Sequence, residues 1–476
     1  MGGHGAGRPL QVHQGSCQKR ILPGSAAVDL IKTPRSGGKP SIPGGTDYRL
    51  PEEKDLLSMR PMALFTILTI VLLILHTAGC TGPAGSAGPA MPAKGTSSVT
   101  SQLVASEGNA HLYRHGNISV IRLDGSYREM GRQYGRLFGP EIREFYRIAI
   151  DEHCIKDKGI DYGTIRDFSL IARDRYPEKF REVMAGISET SGLPPEKVAI
   201  LEQILSIQFI QVQEGAGCSA IAAWGNYTGG GPLVLGRNLD LAQDFKEFSR
   251  YLVVVVYNPP DDIPVALVGY PGQVTTFTAM NANGVFFEVN EGAKSGGNII
   301  DADRLLLPVE MTRFLTDYPD FPGFDAAMNT TRPNYAFIVQ AADSDAAYSY
   351  EAAVTGIRKR GGQEPGLLVA TNDFVDPAWG LALPVDAEDR SVQRRDNLLM
   401  LGNAYKGRIT PETMMQILDV PFDNGGATWP DRTAYQVVVE PAHNRMWVKT
   451  RGIQDWVEID LDRYFRRQGG ISLPAV

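Results

Sequence analysis

The chain changes character at Gly217. Between residues 107 and 213 apolar side chains recur at helical spacing, and Ser126 stands where it can cap the first long helix, with Glu129 three residues on. After Gly217, short runs of β-branched and aromatic residues are separated by Gly, Pro and Asn turns. A helical first part followed by strands with helices between them predicts an α+β fold, in which stacked sheets are covered by helices.

The predicted elements follow this division. Helices are expected at residues 125–150, 162–191 and 194–213, with a short strand at 118–123. After Gly217 a Gly-rich hairpin is expected to pair strands at 219–224 and 233–238. The other strands are expected at 249–257, 263–269, 274–280, 284–290, 334–340, 346–351 and 367–371, with helices at 300–316, 391–403 and 411–418. A last hairpin is expected from strands at 435–439 and 446–450.

Residues 1–106 are predicted to lie outside the folded domain. An uncharged apolar run over 62–75 is shorter than the roughly 20 residues that span a bilayer, and it fits the core of a secretory signal at 59–80. A signal belongs at an N-terminus, so residues 1–58 are interpreted as a gene-model extension, with translation starting at Met59 or Met62.

The end of this signal resembles a bacterial lipoprotein site. Small residues precede Cys80, whose thiol would be lipidated, although Thr77 replaces the usual aliphatic residue. The resemblance implies an exported protein held in the cell envelope by a lipid anchor, with simple secretion and an uncleaved membrane helix as alternatives. Residues 81–106 begin with many Gly, Pro, Ala and Ser residues and are predicted to form a flexible tether.

Charge and histidine content exclude several classes of function. The chain has 54 Asp and Glu against 47 Lys and Arg, and the acidic excess lies after residue 79, so no basic surface for nucleic acid is expected. Of the 7 histidines only His443 lies beyond residue 153, and it falls in a predicted turn. Since the chain has no HExxH, CxxC or Walker motif, neither a metal nor another cofactor is expected.

Cys218 stands where the pattern changes, in a Gly-Ala-Gly-Cys-Ser segment at 215–219. A thiol with a pKa of about 8.5 is only about 3% ionised at pH 7, so a nucleophilic cysteine needs a base or a cationic neighbour. A free α-amine with a pKa of about 8 serves as that base when the cysteine is N-terminal. The small residues before Cys218 would let its thiol attack the Gly217 carbonyl, which would divide the domain into 107–217 and 218–476.

A second segment strengthens this interpretation. Arg237 and Asp240 stand at the end of the strand that is predicted to pair with the one headed by Cys218. Arg237 can stabilise a thiolate, and Asp240 can accept hydrogen bonds from the new α-ammonium group. The alternatives are a structural Arg–Asp ion pair and a buried structural Cys218, either free or joined to Cys154 in a disulfide.

Several motifs resemble those of a known family. They are Gly125-Ser126-Tyr127-Arg128-Glu129-Met130-Gly131, Gly217-Cys218-Ser219, Gly236-Arg237-Asn238-Leu239-Asp240, Met280-Asn281-Ala282-Asn283-Gly284-Val285 with Asn290 after it, Ala370-Thr371-Asn372, and Ser391-Val392-Gln393-Arg394. From the first of these to the final hairpin, the chain resembles the N-terminal-nucleophile (Ntn) cysteine hydrolases of the acyl-coenzyme A:6-aminopenicillanic acid acyltransferase type. This family is related to choloylglycine hydrolase, penicillin V acylase and acid ceramidase.

The resemblance implies a four-layer αββα fold and autoproteolysis between Gly217 and Cys218. The long segment before Cys218 fits the acyltransferase-like branch, whereas the hairpin after it is longer than in the bile-salt enzymes. The resemblance also implies that Asn290 and Asn372 support an oxyanion and that Arg394 supplies a second arginine. Neutral amide donors suit a tetrahedral oxyanion, although a turn asparagine and a surface arginine are the alternatives.

The implied activity is that of an autoproteolytic cysteine amidohydrolase or acyltransferase. It would act on linear amide bonds of small N-acyl substrates through an acyl-thioester on Cys218. Two alternatives stay open, a lipid-directed amidase or esterase of ceramidase-like or phospholipase B-like type, and a non-catalytic envelope lipoprotein with the same fold. The choice of substrate, and that between hydrolysis and transfer, depends on pocket shape rather than on motifs.

Overall fold

The computed structural model describes residues 100–208, 217–383 and 390–465. The predictions made for residues 1–99, which include the signal, the lipidated Cys80 and most of the tether, lie outside these residues. Within the described ranges, no helix combines the length and the apolar character that are needed to cross a membrane.

Helices lie mainly before Gly217 and between the strands that follow it. In the described residues they are α1 (Tyr127–Tyr146), continued by a π-helix (Arg147–Asp157), α2 (Tyr162–Asp174), α3 (Glu178–Ser191), α4 (Pro195–Glu202), α5 (Ile204–Ile207), α6 (Ala293–Gly296), α7 (Leu307–Asp317), α8 (Phe321–Thr330), α9 (Ser391–Ala404) and α10 (Pro411–Asp419). Short 3-10 turns occur at Gly225–Tyr227, Phe245–Tyr251, Pro377–Trp379, Phe422–Asn424, Pro441–His443 and Leu461–Arg463.

The strands form two sheets. Sheet A contains, in spatial order, β1 (Gln102–Glu107), β2 (Ala110–His115), β3 (Ile118–Asp124), β6 (Val253–Asn258), β7 (Val265–Gly269), β8 (Thr278–Asn281), β9 (Phe286–Glu291), β10 (Phe337–Ala342), β11 (Ala347–Ala353) and β12 (Gly356–Arg360). Sheet B contains β13 (Leu367–Ala370), β4 (Gly217–Ala223), β5 (Val234–Asp240), β14 (Thr433–Glu440), β15 (Arg445–Thr450) and β16 (Gln454–Asp460). Neighbouring strands are antiparallel except β3 and β6, which are parallel.

The two sheets stack with helices on their outer faces. Every residue of β4 and β5 is buried, because one face of sheet B meets sheet A and the other meets α9 and α10. On the outer face Ile221 packs with Leu398 and Met414, and on the inner face Leu239 belongs to the core shared with sheet A and α1. The predicted α+β arrangement of stacked sheets covered by helices is therefore confirmed.

The structure corrects three expected elements. Two strands, β1 and β2, precede the single strand expected at 118–123, and β1 begins at Gln102, inside the predicted tether. Most side chains of this edge strand are exposed, so the strand is held by its backbone hydrogen bonds to β2. Its sequence therefore lacks the alternation of apolar and polar residues by which strands are recognised. The helix expected at 162–191 divides at Pro177, since a proline disfavours helical geometry in the residue before it. The helix expected at 300–316 begins only at Leu307.

Candidate active site

The hairpin of β4 and β5 brings predicted site residues together. Its register places Cys218 opposite Leu239 and Gly217 opposite Asp240. The Arg237 side chain comes from the second strand, and its Nη2 lies 3.5 Å from the Cys218 Sγ. Cys218, Arg237 and Asp240 are each 0% exposed, so the thiol and the two charged groups share a site that excludes bulk water.

Arg237 is held by groups of the facing sheet as well as its own. Its Nη1 donates to the Phe277 carbonyl at 2.8 Å and to the hydroxyl of Thr278 in β8. Its Nε lies 3.7 Å from the carboxylate of Glu288 in β9, and its guanidinium lies 5.7 Å from the centre of the Tyr435 ring. The guanidinium is therefore fixed beside the thiol from both sheets.

Arg394 and Asn372 form a clamp on the Cys218 backbone, because they bind the peptide groups on either side of its Cα. Arg394 Nη1 donates to the Cys218 carbonyl at 2.7 Å, and Arg394 Nη2 donates to Asn372 Oδ1 at 2.8 Å. The same Asn372 oxygen accepts the Cys218 N–H at 2.9 Å. Asp240 Oδ2 lies 3.6 Å from Arg394 Nη1, while Asp240 Oδ1 accepts the Thr433 hydroxyl at 2.6 Å. The structure thus brings Asp240, Asn372 and Arg394 together at Cys218.

Asn290 connects to this cluster through Glu288. The two residues lie on the same face of β9, and Asn290 Nδ2 donates to the Glu288 carboxylate at 3.2 Å. Asn372 Nδ2 in turn donates to the Glu291 carbonyl at 2.8 Å. Both amide nitrogens bind protein acceptors in the uncleaved chain, and the oxyanion roles of Asn290 and Asn372 stay predictions.

Burial dominates the electrostatics of the site. It raises the pKa of the Cys218 thiol to about 12, although the charge of Arg237 acts to lower it. Burial also raises the pKa of Asp240 to about 6 and that of Glu288 to about 7, against arginine neighbours that lower both. Cys218 is therefore a neutral thiol in the intact chain, so nucleophilic attack requires a base that takes its proton.

The close packing around Gly217 explains why a glycine stands there. A Cβ at this position would lie 2.9 Å from Arg394 Nη2 and 3.5 Å from Asn372 Oδ1. A side chain would therefore press on Arg394, whereas its Cβ would make ordinary contact with Asn372. The glycine before Cys218 thus allows Arg394 and Asn372 to approach the bond that is predicted to break.

The disulfide considered between Cys154 and Cys218 is absent, because both residues are free thiols. Cys154 lies in the π-helix, where Gln208 Nε2 is 3.7 Å from its sulfur. Burial raises the pKa of the Cys154 thiol to about 12, the charge of Asp244 acts in the same direction, and the charge of Lys158 acts to lower it. The sequence left this pairing open because the spacing of two cysteines does not show whether they meet in the fold.

Four residues of the site were not predicted from the sequence: Thr278, Glu288, Thr433 and Tyr435. Glu288 had a visible signal, because an acidic residue between Phe287 and Val289 in a buried strand needs a partner. The other three are residue types that are common in strands, and nothing in the sequence distinguishes them.

The described residues contain no group of three or more His, Cys, Asp or Glu side chains that could hold a metal ion. The two acidic side chains of the site, Asp240 and Glu288, each face an arginine.

Three solved structures are similar to this chain. The N-acylethanolamine-hydrolyzing acid amidase (NAAA) ortholog of Caenorhabditis elegans is 14% identical, with 47% of this chain and 93% of that chain covered and a TM-score of 0.35. Penicillin V acylase from Agrobacterium tumefaciens is 12% identical over 52% of this chain and 87% of that chain, with a TM-score of 0.37. A mutant conjugated bile acid hydrolase from Clostridium perfringens is 12% identical, with 52% of this chain and 93% of that chain covered and a TM-score of 0.38.

No protein-family model matches the chain, and no curated protein matches it. The similar structures are enzymes of the kind that the sequence motifs resemble. The chemistry of the site is therefore inferred from the contacts around Cys218.

Proposed function

We propose that this protein is an autoproteolytic cysteine amidohydrolase. It cuts itself between Gly217 and Cys218 and then acts on the linear amide bond of small N-acyl substrates. The observation that supports this best is the position of the buried Cys218 thiol, 3.5 Å from Arg237 Nη2, while Asn372 and Arg394 bind the N–H and the carbonyl of the same residue. A cysteine that only filled space in the core would not require a buried cation beside its sulfur.

The first reaction transfers an acyl group from nitrogen to sulfur. Cys218 Sγ attacks the Gly217 carbonyl carbon, so that the C–S bond forms, the peptide C–N bond breaks, and the thiol proton ends on the Cys218 nitrogen. Water then hydrolyses the thioester, which leaves a carboxylate on Gly217 and a free thiol and α-amine on Cys218. The hydrogen bonds from Arg394 and to Asn372 hold the peptide in place while it is cut.

After cleavage, the free α-amine of Cys218 is a base next to the thiol. It takes the thiol proton as sulfur attacks the substrate carbonyl, and it returns the proton to the departing amine. The acyl group is then held as a thioester, and water releases it; an acceptor amine in place of water would complete an acyl transfer.

The clamp residues have distinct roles in this cycle. Arg237 stabilises the developing thiolate, Asn372 Oδ1 orients the amine, and Asp240 acts through Arg394. An oxyanion contact from Asn290 or Asn372 would use the second N–H of the amide nitrogen, since the first binds a protein acceptor. Loss of one such donor typically raises the barrier by about 2.7–4 kcal/mol.

A substrate panel separates the versions of this proposal. The names of the similar enzymes refer to N-acylethanolamines, penicillin V and conjugated bile acids. Release of fatty acid from N-acylethanolamines or ceramides would assign a lipid-directed amidase, and release from a phospholipid would assign an esterase. Release of phenoxyacetate from penicillin V would assign a penicillin-directed acylase. An added amine acceptor that captures the acyl group would show transfer.

Export with a lipid anchor at Cys80 is part of the same proposal. It rests on the apolar run and on the small residues before Cys80 in the sequence. Mass spectrometry of the mature N-terminus tests it, because a diacylated Cys80 is expected. Peptides from residues 1–58 in the expressed protein would overturn the proposed translation start.

Intact-protein mass spectrometry tests the main claim. The wild-type protein is expected to appear as two chains that separate at Gly217–Cys218, and Cys218→Ala is expected to stay in one chain. Cys154→Ala is the matched control, since it removes the other buried thiol of the described residues and is expected to split normally. A wild-type protein that stays whole, or a Cys218→Ala variant that splits, would overturn the proposal.

A further inference from the structure

Glu202 is a buried carboxylate without a cationic partner among the described residues. It ends α4 and is only 4% exposed. Its oxygens accept the Val274 N–H at 2.6 Å, the Thr275 N–H at 3.2 Å and the hydroxyls of Thr275 and Tyr176. Burial raises its pKa to about 7 despite these donors. A buried acid that is costly to ionise and has no ion pair calls for a role beyond filling the core.

The residues that Glu202 holds lead directly to the candidate active site. Three residues after Val274, the Phe277 carbonyl accepts a hydrogen bond from Arg237 Nη1, and so does the Thr278 hydroxyl. The other end of the same guanidinium lies 3.5 Å from the Cys218 sulfur. Hydrogen bonds and one short stretch of backbone therefore connect Glu202 to the thiol.

We propose that Glu202 is a positioning residue that the helical part of the chain supplies to the site. By holding residues 274–278, it keeps Arg237 beside the Cys218 thiol. Glu202 precedes Gly217, so after self-cleavage it would belong to the first chain while Arg237 and Cys218 belong to the second. The first chain would then be a working part of the mature enzyme rather than a spent prosegment. This inference rests on the proposed function.

The contact with the backbone makes Glu202→Gln informative. Glutamine has the same shape but replaces one of the two acceptor oxygens with an NH2 group, so it cannot accept both the Val274 N–H and the Thr275 hydroxyl, which bind different oxygens of Glu202. Thr275→Val removes only the hydroxyl from the same contact and provides a milder variant that is expected to fold. Glu196→Gln is the control, because Glu196 lies on the same helix but is not buried.

Two measurements on the mature two-chain protein test the role. The first is the rate at which iodoacetamide alkylates Cys218, and the second is steady-state hydrolysis of a fluorogenic N-acyl aminocoumarin amide. Glu202→Gln is expected to lower the alkylation rate and kcat by about ten-fold with little change in KM, since Glu202 touches no substrate. Thr275→Val is expected to lower the alkylation rate and kcat by less than Glu202→Gln does. The variant that carries both substitutions is expected to be no slower than Glu202→Gln alone, because both remove the same contact.

The outcomes distinguish this inference from the proposed function. If the wild-type protein stays in one chain, the proposed function fails. If the wild-type protein splits and turns over the amide while Glu202→Gln behaves like Glu196→Gln, only the role of Glu202 is overturned. Additive effects of Glu202→Gln and Thr275→Val, or a change confined to KM, would also overturn it.

Discussion

Gly217→Ala is expected to slow self-cleavage without unfolding the protein. The new Cβ would lie 2.9 Å from Arg394 Nη2, and ordinary contact begins at 3.4 Å, so the guanidinium must retreat by about 0.5 Å. The same guanidinium donates to Asn372 at 2.8 Å and to the Cys218 carbonyl at 2.7 Å. Its retreat would loosen both hydrogen bonds that Arg394 makes next to the Gly217–Cys218 bond, which is proposed to break.

The expected magnitude follows from the size of this displacement. A misplacement of 1 Å can slow a positioned reaction about 100-fold, so about half that displacement is expected to slow cleavage about ten-fold. A ten-fold change corresponds to about 1.4 kcal/mol in the barrier. Overpacking by one methyl group typically costs about 1–3 kcal/mol, which a domain with this large a core is expected to tolerate.

The assay is the fraction of split chain against time, read by intact-protein mass spectrometry after refolding. Gly361→Ala is the matched control, because no atom lies within 4 Å of a Cβ at that position. Circular dichroism establishes that each variant is folded. If folded Gly217→Ala splits as fast as the wild type, Arg394 does not position the peptide and the reasoning is refuted.

Three further perturbations test neighbouring contacts. Asn372→Leu removes the acceptor of the Cys218 N–H, so urea denaturation is expected to show a loss of about 1–3 kcal/mol, and an unchanged stability would contradict the clamp. Arg394→Lys cannot hold the Cys218 carbonyl and Asn372 in the same way, so self-cleavage is expected to slow at least about ten-fold in the mass assay. The folded state raises the pKa of Glu288 from 4.5 to about 7, so this group stabilises the fold below pH 4.5 and loses that contribution as the pH rises through about 7. The stability of Glu288→Gln relative to wild type is therefore expected to increase between about pH 5 and pH 8, and a difference independent of pH would count against a raised pKa.

The hairpin part of the site could be predicted from the sequence because its geometry is local. Cys218 and Arg237 lie on adjacent strands joined by one connection, so their approach follows from the register of a single hairpin. The edge strand β1 could not be predicted in the same way, because its exposed side chains carry no apolar alternation. Pro177 is a helix breaker that the sequence shows, but apolar residues recur at helical spacing on both sides of it, so two helices were predicted as one.

The distant part of the site depended on the tertiary structure. Asn372 and Arg394 are 154 and 176 residues away from Cys218 in the chain. Their motifs indicated that they belong to the site, but the sequence does not show which atom of each side chain contacts Cys218. The structure places the oxygen of Asn372, and not its nitrogen, on the Cys218 N–H, and the contact of Asp240 with an α-ammonium group stays a prediction.

The sequence by itself determined the change at Gly217 from a mainly helical part to strands with helices between them, and the short motifs that contribute Cys218, Arg237 and Asp240. These follow from periodicity and from short motifs, which depend on neighbours along the chain. Only the tertiary structure decided that Glu288 faces Arg237 and that Glu202 holds the residues that bind Arg237. Such contacts depend on how two sheets and their covering helices stack, and stacking is set by the close packing of side chains that are far apart in sequence.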